Sequence, residues 1–322
     1  DANGTVAIGY QAGYAITSGQ RSTLVGYQAG DSISTGDRNT AFGYQALMTA
    51  TTGNRNVAIG HGALRDIPAG VHNDNTAVGT DAGHDTTTAS GSVFIGKSAG
   101  YDVTTGNQNI AIGLSTLNNS SNTTGDNNVA IGAYSLVATT SGYNNIAIGK
   151  DAAGALTTGH NNVILSTNTG RSGTSLGATT GAYNVGIGYE TLVALTDGNS
   201  NVAIGTQAGM RAAGADNNII IGYQAGIQIS SGGSNIIIGY RAADAANMSN
   251  NTAIGYEALT ASDGTGMNLA LGFYTLHKLV KGGSTTALGN YAGQYATGSY
   301  NTFVGHDAGK GGQTSAPFSS GE

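Results

Sequence analysis

One phrase governs this chain. Asn-Val-Ala-Ile-Gly followed by Tyr-Gln-Ala-Gly, or a near relative, returns eighteen times in 322 residues. Anchored on the glycine that closes Ala-Ile-Gly, the copies fall at Gly9, Gly26, Gly43, Gly60, Gly79, Gly96, Gly113, Gly132, Gly149, Gly188, Gly205, Gly222, Gly239, Gly255, Gly272, Gly289 and Gly305. Ser166 holds the one slot where glycine is missing. Most steps between anchors are 17 residues, two are 16, two are 19, and the step from Ser166 to Gly188 is 22. A register that survives while length is let out only between motifs reads as stacked coils with loops on one side.

The chemistry within each copy argues for strand. The residue before the anchor is large and apolar in all eighteen copies, from Ile8, Val25 and Phe42 to Val304, and two residues earlier stands Val, Ile or Thr in nearly every copy. That is a period of two over β-branched residues. A 17-residue unit holding several glycines leaves no glycine-free run long enough for a helical hairpin. The pattern therefore predicts an all-β chain, a parallel β-solenoid of about 18 coils of about 17 residues.

Asn fills the slot four before the anchor in fourteen of the eighteen copies, including Asn39, Asn56, Asn75, Asn109 and Asn128. Glycine often stands three residues earlier, as at Gly53, Gly106 and Gly159. Glycine supplies positive φ, and Asn tolerates the left-handed region while bonding nearby backbone. Coils stacked about 4.8 Å apart would place the Asn side chains above one another as amide ladders, and eighteen coils would make a rod of roughly 85 Å.

Composition fits a fibre better than an enzyme. There are 54 glycines, two prolines, no Cys, no Trp, and charged residues at 9%, where about a quarter is ordinary for a globular domain. The net charge of −6 comes from scattered acids, which speaks against nucleic acid as a partner. The absence of Cys excludes disulfide staples, and no apolar run reaches the 18 or so residues of a membrane span. Residues 1–310 read as the solenoid and 311–322 as a Gly/Ser-rich tail. The chain starts at Asp1, almost inside the first repeat, so a part of a longer protein is expected. The longest insertion, Thr167 to Tyr183, reads as a surface loop dispensable for assembly.

A thin coil offers few large side chains to bury, and both faces of its strand are apolar. Two before the anchor the column reads Ala7, Leu24, Ala41, Ala58, Ala77, Phe94 and Ala111, with Ile164, Ile220, Ile237 and Phe303 further on. If one face serves the coil's own core, the other needs a partner. The expectation is that this column, represented by Ala58, Ala130, Ala203, Ile220 and Ile237, packs between identical chains, most simply in a trimer. The bland alternative is that these are tolerated surface alanines.

The phrases Asn-Val-Ala-Ile-Gly at 56–60 and 201–205, Asn-Thr-Ala-Phe-Gly at 39–43 and Asn-Ile-Ala-Ile-Gly at 145–149 resemble the head repeats of trimeric autotransporter adhesins and the related repeats of bacteriophage tail-fibre proteins. The resemblance covers roughly residues 3 to 309. It implies a left-handed parallel β-roll, three chains side by side, and a role in attachment. The unit here is longer than the adhesin repeat. The Gly-Tyr-Gln-Ala-Gly and Gly-Tyr-Gln-Ala-Leu variant is more similar to the tail-fibre group.

Catalytic motifs must be weighed against the repeat. Gly91 to Ser98 formally matches a phosphate-binding loop, but its centre is the expected strand of the sixth coil and no helix can follow. His61, His72 and His84 with Asp74 and Asp85 suggest a metal cluster, yet histidine spacings of 11 and 12 do not stack them, so solvated loop histidines are expected. Glu190 and Glu257 are four coils apart and form no glycosidase pair. No catalytic, cofactor or metal residues are assigned, and no enzyme activity is expected.

Two surface columns remain. Tyr10, Tyr27 and Tyr44, then Tyr223, Tyr240 and Tyr256, with Tyr189 between, stand directly after their anchors and predict two aromatic ladders, able to stack on sugars, on one another, or over an apolar edge. Thr and Ser recur eight and nine before the anchor, as at Thr51, Thr52, Thr104, Thr105, Thr157 and Thr158, a spacing that could order water as ice-binding solenoids do. The expected function is a structural and attachment fibre segment, first a phage tail fibre, with a bacterial surface adhesin and then an ice-binding solenoid as alternatives. The expected place is extracellular, on a virion or cell surface, and the expected partners are the chain itself and a glycan or protein receptor.

Overall fold

The computed structural model describes residues 3–66, 72–119, 122–167, 179–244, 248–261, 266–280 and 282–311. Most of the Thr167–Tyr183 insertion and nearly all of the 311–322 tail lie outside these residues. The chain is a parallel β-solenoid with eighteen three-residue strands, and no helix occurs among the described residues. It comprises two compact units, residues 1–161 and 162–322. The first holds nine strands from β1 (Val6–Ile8) to β9 (Ile146–Ile148), and the second nine from β10 (Val163–Leu165) to β18 (Thr302–Val304).

Within each unit every strand pairs in parallel with the next, one coil on. Ala41 lies beside Ala58, which lies beside Ala77 and then Phe94; in the second unit Ala203 lies beside Ile220 and Ile237. Two features keep this register. The anchor glycines have φ near +130°, and a Cβ on Gly79 (φ +136°) would lie 2.6 Å from the carbonyl oxygen of Gly96, so only glycine lets the coils approach. Ser166, without positive φ, instead donates its hydroxyl to the carbonyl of Gly188.

The second feature is the amide ladder, which forms as the column of Asn predicts. Asn39 Oδ1 accepts from the backbone N–H and the side-chain amide of Asn56 at 3.0 and 3.2 Å, and Asn39 Nδ2 donates to the carbonyl of Gly53 at 2.7 Å. The same pattern joins Asn109, Asn128 and Asn145, and, in the second unit, Asn184, Asn201, Asn218 and Asn235. These residues are buried, so the ladder satisfies groups that would otherwise be costly orphans. One expectation needs refinement. The left-handed residue is the one before this Asn, as at Arg38, Arg55, Asn127 and Asn217, so Asn is selected for its two-sided amide and not for backbone tolerance.

The assignment of the strand's two faces is overturned. Ala58, Ala130, Ala203, Ile220 and Ile237 are all 0% exposed in the single chain. They face the coil's own interior and cannot form a surface between chains. The reason is width. Across the coil, four residues after the anchor, stands a second inward residue, and the two share one narrow space. Where the strand residue is large, its opposite is Gly or Ala: Leu24 with Gly30, Phe94 with Gly100, Ile220 with Gly226, Ile237 with Ala243, Phe303 with Gly309. A Cβ on Gly30 would meet Leu24 Cδ2 at 2.9 Å. Where the strand residue is Ala, the opposite is often Leu, as in Ala41 with Leu47, Ala111 with Leu117, Ala130 with Leu136 and Ala253 with Leu259, each wholly buried. Close packing requires this exchange of volume.

Candidate functional site

With the middle residue turned inward, the flanking residues of each strand turn outward. Ile59 and Ile148 in the first unit are 38% and 40% exposed, and Ile219 and Ile236 in the second are 40% and 39% exposed. The two outward columns contain Val, Ile, Leu, Phe and Thr and no charged residue in any of the eighteen coils. Nine strands spaced about 4.8 Å apart and three residues wide present roughly 400 Å² of apolar sheet per unit. A patch of that size already matches the largest found on typical monomers.

The expected aromatic ladders run along the edge of this face. In the first unit Tyr10, Tyr27, Tyr44 and His61 stack with centroids 5.2, 5.2 and 5.0 Å apart. In the second, Tyr223, Tyr240, Tyr256 and Phe273 stack at 5.3, 4.9 and 5.1 Å. His61 and Phe273 extend the ladders and were legible from register alone, since they too follow an anchor directly. Because each ring covers its neighbour's face, a sugar can reach only ring edges and hydroxyls along the ladder. A glutamine ladder lies beside each. Gln28 donates to Gln11 and Gln45 to Gln28 at 3.0 and 2.9 Å, and Gln207 donates to Glu190 and Gln224 to Gln207 at 2.9 and 2.7 Å.

Several hydroxyls of the Thr and Ser column nine before the anchor are committed to stacking. Ser34 donates to the carbonyl of Thr51, Thr87 to that of Thr104, Thr140 to that of Thr157 and Thr196 to that of Ala213, at 2.9 to 3.2 Å. Hydroxyls used this way join coil to coil and are poorly placed to template water.

The remaining candidates disperse. The phosphate-loop match is strand at Val93–Ile95. Glu190 accepts from Gln207, and Glu257 pairs with His277 at 2.9 Å. His72 replaces a glycine seven before its anchor and is buried, which holds its imidazole below the usual histidine range. Arg55 and Asp74 form an exposed pair at 2.5 Å. His84 and Asp85, however, do meet a third group, Asp66, which the histidine spacings did not bring forward. No family model matches this chain, and no curated protein matches it in sequence.

Proposed function

We propose that this chain is a self-associating structural segment of an extracellular attachment fibre, three copies packing through the outward faces of their sheets. The carrying observation is the uncharged column pair exemplified by Val57 and Ile59, and by Ile219 and Ile221, of which Ile59 and Ile219 are exposed and Val57 and Ile221 half-buried in the single chain. Burying such a face contributes on the order of 25 cal/mol per Å², and repetition along a solenoid multiplies a small contact per coil into a stable assembly. The trimer takes the arrangement implied by the resemblance of the repeat phrase to tail-fibre and adhesin-head repeats, with the packing face moved by one residue from the column first expected.

A phage tail fibre is the preferred setting, by the Gly-Tyr-Gln-Ala variant of the phrase. A bacterial surface adhesin is the alternative. The segment acts as a shaft and as an attachment surface, with ring edges and amides of the Tyr and Gln ladders as the region offered to a glycan or protein receptor. Native mass spectrometry of the purified chain tests the assembly. Three chains of 32.0 kDa are expected, and a stable species of one chain would refute it. Glycan-array binding by that oligomer would separate an adhesive segment from a passive shaft.

A further inference from the structure

Three successive coils carry an acid at one position of the repeat. Six residues after Gly60, Gly79 and Gly96 stand Asp66, Asp85 and Asp102, so three carboxylates occupy one column in three successive coils. Like charges in register on neighbouring strands or coils repel. Beside them, five after the anchors, stand Arg65, His84 and Tyr101.

His84 is 4% exposed and held on two sides. Its Nδ1 lies 2.5 Å from Asp85 Oδ1, and its ring stacks on Tyr101 with centroids 4.6 Å apart and planes 4° apart. A carboxylate on Nδ1 fixes both the tautomer and the direction of the other nitrogen. Nε2 then faces Asp66 Oδ2 at 3.7 Å. That gap exceeds hydrogen-bond distance. It is close to the roughly 3.4 Å that separates two ligand atoms each about 2.1 Å from a shared zinc ion. One donor atom from each of Asp66, His84 and Asp85 lies within 4.8 Å of the other two.

We infer that Asp66 and His84, with Asp85 holding the imidazole in place, form a binding site for a divalent transition-metal ion of the zinc type. The donor set decides the class of ion: an imidazole nitrogen with a carboxylate suits zinc, cobalt or nickel, whereas calcium and magnesium take oxygen alone. His84 Nε2 and Asp66 provide the protein ligands and water the remaining positions, while Asp85, held on Nδ1 on the far side of the ring, orients the imidazole and raises its basicity. Entry is open, because the Asp66 and Asp85 side chains are 41% and 38% exposed while the histidine behind them is buried. Arg65 competes for the same carboxylate, with Nη2 3.0 Å from Asp66 Oδ2 and Nε 3.3 Å from Oδ1. The site therefore binds with an affinity that Arg65 restrains. An ion here would tie the fourth coil to the fifth across a 19-residue step.

The experiment is calorimetric titration of the chelator-treated full chain with zinc chloride at neutral pH, with cobalt(II) absorption as a second signal. One site per chain stronger than any residual surface binding is expected. His84→Gln and Asp66→Asn should each weaken it at least tenfold, Arg65→Ala should strengthen it, and His277→Gln, in a separate pair with Glu257, should leave it unchanged. Asp66 is exposed enough that its Asn variant keeps the test open if the His84 variant fails to fold. Absence of zinc binding by the wild-type chain, or binding unaltered by Asp66→Asn, would overturn the proposal.

Discussion

At the residue scale the fold rests on pairs of side chains that divide a narrow interior. Phe94 with Gly100 and Ala111 with Leu117 are two solutions of one volume constraint in adjacent coils. Gly100 has φ +61° and Leu117 φ +48°, so the backbone there accepts either residue. Gly100→Leu alone should strongly destabilise the chain by overpacking against Phe94, and Phe94→Ala alone should cost about 3–5 kcal/mol. The double variant recreates the arrangement of the next coil and should recover about 1–3 kcal/mol relative to the sum, read by urea unfolding. Additive losses would show that the two side chains do not share space. The Asn ladder makes an equally local claim. Asn128 bonds to Asn109, Asn145 and the carbonyl of Gly142, so Asn128→Ala orphans buried groups on both sides at about 1–3 kcal/mol each. A loss below about 1 kcal/mol in the same assay would contradict the ladder's structural role. The exchange of Leu for Gly opposite Ala or Phe is present in the sequence. It is the signal that distinguishes inward from outward columns, which strand alternation alone cannot do when both faces are apolar.

At the scale of the element, what register dictates was legible and what depends on direction was not. Strand positions, Asn ladders and tyrosine stacks all follow from counting back or forward from Gly43 or Gly222, since stacking forces equal positions into contact. The Asp66–His84–Asp85 cluster does not show in histidine spacings, because its link is the Asp66 to Asp85 step of 19 residues, the length of that very coil. The same carboxylate column carries a pH consequence. Burial first, and then the charge of Asp85, push Asp102 up to about 6, from an ordinary value of 3.8. Below about pH 4 the group is protonated whether folded or unfolded. As pH rises from there to about 6 the unfolded chain releases the proton first, so the folded state loses stability across that window and the loss stays constant above it. In chelator-containing buffer, Asp102→Asn should therefore melt higher than the wild type at pH 7.5, with the difference shrinking toward pH 4. A difference independent of pH would assign its effect to something other than this ionisation.

At the scale of the whole molecule, a solenoid of such thin coils is held by nearest-neighbour terms, and each coil turns outward two uncharged residues of which at least one is apolar. The proposed assembly covers them, and it makes inward and outward columns respond differently to the same charge. Aspartate at Ala58 enters the interior of its own coil, where a carboxylate has no partner, and should prevent folding. Aspartate on the outward column leaves the coil intact and places unpaired charge only where chains meet. Sedimentation velocity of the variant carrying Ile59→Asp, Ile131→Asp and Ile148→Asp, with its strand content followed by far-UV circular dichroism, separates the two. The account predicts a folded single chain of 32.0 kDa from this variant, beside a wild type three times heavier. A variant that keeps the wild-type oligomer would contradict it, because the outward face of the sheet would then not be where the copies meet.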